Sequence, residues 1–299
     1  MRRCAFLTLA DPGGYVIDDE LAHEPLRALD WHVDAVPWNR PGVAWEDYDL
    51  VVIRSPWDYV HDPDGFLAVL AAIERRSVRL ENRLPLVRWN LDKTYLRDLA
   101  ARGVATVPTL FRDRLGRGEL GSLFEEVGSL SPAEAAGSRE IVIKPVVGAS
   151  AEGAYRLDAR AVRARGGEVE AYYAGRPLQA QPLARAVLEE GEYSLFYFDG
   201  AHSHTVLKTP GPDDFRVQEE HGGAIRTVTA DAALLAAGQT ALGALDETPL
   251  YARADFVRAE GGGAYWLMEL ELVEPSLYLR MDREAPERFA RALDARFAG

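Results

Sequence analysis

Apolar residues recur along this chain at two periods. In WLMELELVEP, Trp266, Met268, Leu270 and Leu272 occupy alternate positions, with Glu269 and Glu271 between them. That is the period-two pattern of a half-buried strand, one face apolar and the other carrying two carboxylates. YARADFV precedes it across Gly261-Gly262-Gly263, and the pair predicts a hairpin. With the hairpin axis at Gly262 and no slip in the loop, Asp255 falls opposite Glu269 and Arg253 opposite Glu271, all four on one face. YSLFYFDGAHSHTVLK carries Asp199-Gly200 between apolar runs, the strongest short hairpin signal. His202-Ser203-His204 follows that turn and reads as a surface feature. Residues 4–10, HVDAVPW and DLVVIRSP read as strands, and 18–29 and DGFLAVLAAIERR as helices. Their alternation predicts a small parallel α/β unit over about residues 1–88. NLDKTYLRDLAARG reads as one helix capped by Gly103. A charged helix near 119–128, a Pro/Ala/Gly/Ser-rich link near 131–138 and the strand EIVIKPVV follow; from about 178 strands dominate.

Composition narrows the class. The 299 residues suffice for two or three small domains, and a hydrophobic content of 47% with 27% charged residues is ordinary for a globular enzyme. The formal net charge of −13 argues against nucleic acid or an anionic membrane as partner, since both call for basic patches. Cys4 is the single cysteine, so no disulfide can form within the chain, which fits a reducing cytoplasm; in an apolar run it reads as a core residue. In MRRCAFLTLADPGG, Asp11 and Pro12 end the apolar run too early for a signal peptide. No apolar run approaches the ~20 residues of a membrane helix. The oligomeric state is left open, a homo-oligomer included.

The carboxylate face is the first chemical signal. Three acids around one arginine, in a hairpin otherwise apolar, call for a divalent cation, and hard oxygen ligands suit Mg²⁺ or Mn²⁺. No Cys/His cluster with zinc spacing competes. The second signal is cationic. EIVIKPVVGASAEGAYRL sets Lys144 at the end of a buried strand, followed by a glycine loop from Gly148 through Ser150 to Gly153. Such a loop can turn backbone N–H groups toward an anion, although its residue order is not that of a P-loop. Lys93 lies on the 90–103 helix, and Arg216 stands in DDFRVQEEHGG. Together these groups match the needs of phosphoryl transfer, in which cations and metal spread the charge of the moving phosphate.

This set resembles the ATP-grasp superfamily of carboxylate–amine ligases over most of the chain, most specifically over residues 90–280. YARADFV … WLMELELVEPS resembles that family's terminal R-x-D … E-x-[EN] signature, and IVIKPVVGAS its second lysine and glycine loop. The resemblance implies an α/β, ATP-grasp fold in three parts: residues 1–105 as a small parallel α/β substrate-side unit with a linker helix, 106–180 as a lid, and 181–299 carrying the metal hairpin. It implies that Asp255, Glu269 and Glu271 hold Mg²⁺ (or Mn²⁺) on the phosphates of ATP, which Lys93, Lys144 and the Gly148–Gly153 loop contact. Arg216 would approach the γ-phosphate, and Arg253 the acyl phosphate and its oxyanion. QAQPLARAVLEEGEYS resembles the hinge around adenine: Gln181 and the backbone near Leu183 would face the purine, and Glu192 the ribose. The loop has Ala151-Glu152 where relatives often carry more glycine, and a hinge about one residue longer than in glutathione synthetases makes Glu189 the rival of Glu192.

The second reactant must be read elsewhere. IRSPWDYVHDPDG follows the third strand, at the edge where α/β units bind ligands. Arg54, Ser55, Trp57, Asp58 and Tyr59 offer a cation, hydroxyls, a carboxylate and aromatic walls, suited to a small amino-acid-like zwitterion. Chain length, RSPWDY and ELVEPSLYLR are similar to the cycloserine synthetases, ATP-grasp cyclo-ligases acting on O-ureido-serine. That resemblance implies an acyl phosphate attacked by the ureido nitrogen of the same molecule, with carbon dioxide and ammonia leaving. The rival readings are an intermolecular amino-acid or peptide ligase of glutathione synthetase type, and a non-catalytic nucleotide sensor, against which the intact set of cations and acids argues.

Overall fold

A computed structural model of the chain describes residues 1–76, 78–131, 139–148, 152–211, 214–219 and 222–298. The N-terminal α/β pattern is realised as four parallel strands, β1 (Arg2–Thr8), β2 (Trp31–Pro37), β3 (Leu50–Ser55) and β4 (Arg79–Glu81), in the order β2-β1-β3-β4. The helices α1 (His23–Ala28) and α2 (Pro63–Arg75) connect them. β3 is buried along its whole length, as expected of a parallel strand covered on both faces. The 18–29 segment opens as a 3-10 turn, Asp19–Ala22, before α1. α2 starts on Asp62, whose carboxylate accepts from the N–H of Gly65 at 3.0 Å, with Pro63 at the first helical position.

The helix expected over 90–103 is two helices, α3 (Leu84–Asn90) and α4 (Tyr95–Ala101). The Asp92 carboxylate takes the N–H of Thr94 at 2.9 Å, a local bond that competes with the helical one. Lys93 therefore lies in the turn between the helices. Its own N–H donates to the Val146 carbonyl at 2.9 Å, which ties this turn to the end of the next sheet. Gly103 has φ +88° and ends α4 as expected.

The second sheet comprises β5 (Leu110–Arg112), β6 (Glu140–Pro145), β7 (Tyr155–Asp158) and β8 (Leu178–Pro182), antiparallel in the order β5-β8-β6-β7. The helices α5 (Leu120–Gly128) and α6 (Ala159–Tyr173) cover one face around Leu123, Val127, Ile141, Ile143, Leu157 and Val169. Most of the 131–138 link lies outside the described residues. Following the short α7 (Ala186–Glu189), the third sheet is formed by β9 (Glu192–Phe198), β10 (Ala201–Thr209), β11 (Ala224–Thr227), β12 (Tyr251–Arg258) and β13 (Tyr265–Glu271). Its order is β11-β10-β9-β12-β13, with α8 (Ala232–Gly243) on one face. α9 (Ala285–Ala298) packs Phe289 and Leu293 into a core shared by β1, β3, β9 and β12, so the first and third sheets are joined through one apolar layer.

Both expected hairpins form. Asp199 (φ +47°) and Gly200 (φ +78°) supply the paired positive φ of a two-residue turn between β9 and β10. The register of β10 then shifts between His202 and His204. The shift turns His204 inward, where it is 3% exposed and stacked on Phe196 at 4.3 Å. Burial lowers its pKa to about 4. Only His202 of that pair is on the surface, and the expectation of an exposed cluster is corrected at His204.

The β12–β13 register is the expected one where it matters: Arg253 faces Glu271 and Asp255 faces Glu269. It shifts by one residue between Asp255 and Phe256, which then pairs with Leu267. That bulge at Met268 corrects the simple alternation. Leu267, Leu270 and Leu272 pack under the sheet with Tyr95 and Leu99, whereas Trp266 and Met268 pack with Val107, Val187 and Val257. Trp266 and Met268 are thereby brought to the side of the glutamates.

β13 is a sheet edge; the outer backbone groups of Leu267 pair with the 105–107 main chain, whose Ala105 carbonyl accepts at 2.8 Å and Val107 N–H donates at 3.2 Å, and those of Leu270 and Leu272 are satisfied by side chains. The Asn90 amide donates to the Leu270 carbonyl at 2.7 Å, and its oxygen accepts from the Leu272 N–H at 2.8 Å. It brackets residue 271 as a neighbouring strand would. The Tyr95 hydroxyl accepts from the Leu270 N–H at 2.8 Å, and Asn82 donates to the Leu272 and Tyr251 carbonyls at 2.7 and 2.9 Å. An unpaired buried backbone group costs about 1–3 kcal/mol. Asn90→Ala strips two partners at once. We expect a loss of roughly 2–5 kcal/mol, read as a lower urea midpoint at unchanged slope.

Candidate active site

The three sheets meet at one cleft. Its lining includes Lys93, Lys144, Gly148, Gln181, Leu183, Glu192, Lys208, Arg216, Arg253, Glu269, Glu271 and Glu274. Nearly every nucleotide-side candidate of the sequence is thus brought to one place, from five separate elements. Ser150 lies outside the described residues. Gly153 follows the loop at φ +70°, where a Cβ would meet the Tyr172 hydroxyl at 2.3 Å; only glycine is accommodated there. Its carbonyl accepts from the Tyr173 hydroxyl at 2.6 Å.

Lys93 joins the loop to the acids. Its Nζ donates to the Gly148 carbonyl at 2.7 Å and pairs with Glu269 Oε1 at 3.1 Å. Burial pulls its pKa down, but facing Glu269, Glu271 and Glu274 hold it above the ordinary lysine value. Burial pushes Glu269 up, and Lys93 and Lys144 hold it below the carboxylate range. Arg253 lies between Asp255 and Glu271. It donates to Asp255 Oδ2 at 3.0 Å and to Glu271 Oε1. Asp255 is 2% exposed and also accepts from Ser194 and pairs with Lys208 at 3.5 Å. Against burial, Arg253 and Lys208 keep it below its usual pKa. Arg216 pairs with Asp214 at 2.8 Å on the rim.

Among the described residues no group of three acids or imidazoles converges to hold one ion. Asp255, Glu269 and Glu271 share a face as expected, but Asp255 is engaged by Arg253, Lys208 and Ser194. Glu269 and Glu271 each meet their cation through Oε1, and their hard oxygen chemistry suits a divalent ion.

On the purine side, the Gln181 amide donates to the Thr109 hydroxyl at 2.8 Å, and the Leu183 N–H to the Glu140 carbonyl at 2.9 Å. Glu192 pairs with Lys208 at 2.6 Å and lines the cleft; Glu189, its rival, belongs to α7 and is absent from the lining. Lys208 is 3% exposed and serves both Glu192 and Asp255. Sequence reasoning missed it. The available signal was a charged residue ending the apolar run Thr205-Val206-Leu207 inside a strand.

The substrate-side candidates are not brought together. Arg54 is 1% exposed, and it donates to Asp19 at 3.0 Å, the Ile53 carbonyl at 3.2 Å and the Pro275 carbonyl at 3.0 Å. The Ser55 hydroxyl bonds Thr8 and the Asp58 carboxylate accepts from the Trp38 indole. Of the five, Trp57 and Tyr59 line the cleft. The expected substrate arginine is a buried brace, because the strand that carries it ends beneath the 274–276 segment. The groups that do line this end are Tyr15, Val16, Tyr59, Glu274, Ser276 and Tyr278.

Glu271 is shifted into the neutral range. Burial pushes its pKa to about 8; Arg253 opposes, and Glu269, Asp255 and Glu274 add to the rise. A carboxyl raised on folding binds more protons folded than unfolded between about 4.5 and 8. Its contribution is present below the unfolded value near 4.5 and is lost as pH rises toward 8. Without divalent cation, the wild type should lose stability over that window relative to Glu271→Gln. Saturating Mg²⁺ should restore most of the loss at pH 8. Melting temperatures of both proteins from pH 5 to 8, with and without Mg²⁺, check this.

Known proteins resemble this chain along nearly its whole length. Residues 4–82 match the N-terminal domain of D-cycloserine synthetase DcsG. The cycloserine biosynthesis protein DcsG of Streptomyces lavendulae is 33% identical over 284 residues, 91% of this chain and 91% of that protein. The crystal structure of D-cycloserine synthetase DcsG is similar with a TM-score of 0.85 at 30% identity, over 99% of both chains. The ATP-grasp ligase PsnB, complexed with a phosphomimetic variant of its minimal precursor, Mg and ADP, has a TM-score of 0.65 at 16% identity, over 99% of this chain and 98% of that one. That last likeness is one of fold. On the strength of the relative from Streptomyces lavendulae, the chain belongs to the DcsG family and is a ligase of ATP-grasp fold.

Proposed function

We propose that this chain uses ATP to close O-ureido-D-serine to D-cycloserine. The observation that carries the chemistry is the single cleft in which Lys93, Lys144 and Arg253 face Glu269 and Glu271; kinship to DcsG supports the choice of substrate. In this reading residues 1–105 form the substrate side, 106–180 the lid and 181–299 the metal-hairpin side.

Lys93, Lys144 and the Gly148–Gly153 loop would neutralise the ATP phosphates, with Arg216 approaching the γ-phosphate. Gln181 and the backbone near Leu183 would hold the purine and Glu192 the ribose. Glu269 and Glu271 would hold Mg²⁺ or Mn²⁺, with Asp255 the third acid of that face; such an ion neutralises phosphate charge. The substrate carboxylate attacks the γ-phosphorus, and ADP leaves. Arg253 would hold the carboxylate, and then the oxyanion formed as the ureido nitrogen attacks the acyl phosphate. Phosphate departs as the C–N bond of the ring closes. The carbamoyl group is lost with one water as carbon dioxide and ammonia. Nucleophile and electrophile belong to one molecule, so no second amine need be bound.

The test is ADP formation with O-ureido-D-serine as the sole organic substrate. We expect ADP and ring product in equal amounts, with no increase in rate on adding amino acids. ADP that forms only when a second amine is supplied refutes cyclisation and leaves an intermolecular ligase. Glu269→Gln should fold normally and lower turnover by at least ~10²-fold; wild-type turnover at ordinary Mg²⁺ refutes its metal role.

A further inference from the structure

Beyond Arg253 the cleft has a second polar end, which the steps above leave unused. Glu274 closes it. Its backbone is held tightly: the Trp57 indole donates to the Glu274 carbonyl at 2.9 Å, and Arg54 to the adjoining Pro275 carbonyl at 3.0 Å. Arg54 is itself fixed by Asp19 and lies 4.8 Å from the centre of the Tyr251 ring. With the main chain pinned, Glu274 lines the cleft, and the buried Tyr59 hydroxyl faces its carboxylate and favours the charged form. Tyr15 and Trp57, with ring centres 5.0 Å apart, wall the same end.

Glu274 makes no ion pair among the described residues, while the cations nearest to it are engaged. Lys93 is on Gly148 and Glu269, and Arg253 on Asp255 and Glu271. A carboxylate with one hydroxyl donor, beside two aromatic rings, is complementary to an ammonium group, which needs anionic acceptors and is favoured over aromatic faces. Arg253 borders the same end of the cleft: its Nη1 is 3.5 Å from the carbonyl of Ser276, two residues beyond Glu274, and its charge acts on the Glu274 carboxyl. An α-amino acid carries its carboxylate and ammonium on one carbon, a pair matched in kind by an arginine and a carboxylate that share one cleft.

We propose that Glu274, oriented by Tyr59 and walled by Tyr15 and Trp57, binds the α-ammonium of the amino-acid substrate and selects for it. The inference rests on the ligase reading above and adds the residue that recognises the amine. An analogue lacking the amine leaves Glu274 in the cleft without its cation, and should react at least ~10²-fold less efficiently.

The experiment compares O-ureido-D-serine with the same molecule carrying hydrogen in place of the α-amine. ADP release is measured for the wild type, Glu274→Gln and Tyr59→Phe. In the wild type the ratio of kcat/KM values should be about 10² or more in favour of the amine. In Glu274→Gln it should fall below about 10, through loss of the amino substrate alone, with KM for ATP and the Mg²⁺ dependence within about threefold of wild type. Tyr59→Phe removes one hydroxyl and should lower the ratio by roughly 3–10-fold, which keeps the test valid if Glu274→Gln does not fold. A ratio unchanged in both variants overturns the inference, as does a shifted Mg²⁺ dependence with the ratio intact, which would assign Glu274 to the cation. A wild type that forms no ADP from O-ureido-D-serine overturns the ligase reading and this inference with it; a wild type that turns over without the expected ratio overturns this inference alone.

Discussion

Glu192, Asp255, Glu269, Glu271 and Glu274 are carboxylates crowded along one side of the cleft, and the rest of the site depends on how their repulsion is met. Two unit charges 4 Å apart interact by about 4 kcal/mol at an effective dielectric of ~20. Cations at hydrogen-bond distance are therefore a condition of folding as well as of chemistry. Lys208 serves Glu192 and Asp255, Arg253 serves Asp255 and Glu271, and Lys93 serves Glu269. Glu271, short of a full partner, is pushed toward its neutral form, and Glu274 is raised to about 7 by burial against the help of Tyr59. The fold leaves these two carboxyls undercompensated, which is the electrostatic state expected of groups that await a cation from outside the chain.

Such a network works only if its backbone does not move. Glu269 and Glu271 lie on the edge strand of a sheet, the least constrained place in such a structure. Asn90, Tyr95 and Asn82 stand in for the missing neighbouring strand and bracket the residues on either side of Glu271. Arg54 does the same for the segment after the strand, through Pro275. The N-terminal unit and its linker thereby brace the carboxylate face, and the α3–α4 turn, bound to Val146, links that face to the sheet that carries Lys144.

Most of the nucleotide side was legible in the sequence. The hairpin with Arg253, Asp255, Glu269 and Glu271 follows from period two and a glycine turn, and its register is correct at the site because the bulge lies on the turn side of Asp255. The bulge itself was not legible. Trp266 and Met268 fit strict alternation, and an extra residue in one strand changes faces without changing composition. Lys208 and Asn90 were missed because each, alone in a sequence, resembles a solvated polar residue. Arg54 was read as a substrate-facing cation at the end of the third strand and not as a brace, since its partners Asp19 and Pro275 are distant in sequence.

The sequence by itself determined the alternating α/β unit, the two hairpins and the class of chemistry implied by clustered acids and lysines. These are local properties, set by side-chain periodicity, turn residues and residue type. The tertiary structure decided which charged group faces which: that Lys93 leaves its helix to meet Glu269, that Lys208 is shared by two acids, that Arg54 supports the site from outside, and that Glu274 is left facing the cleft. The reason is that electrostatic pairing in a buried cleft is fixed by distances of a few ångströms between residues tens to hundreds of positions apart, and sequence periodicity carries no information about those distances.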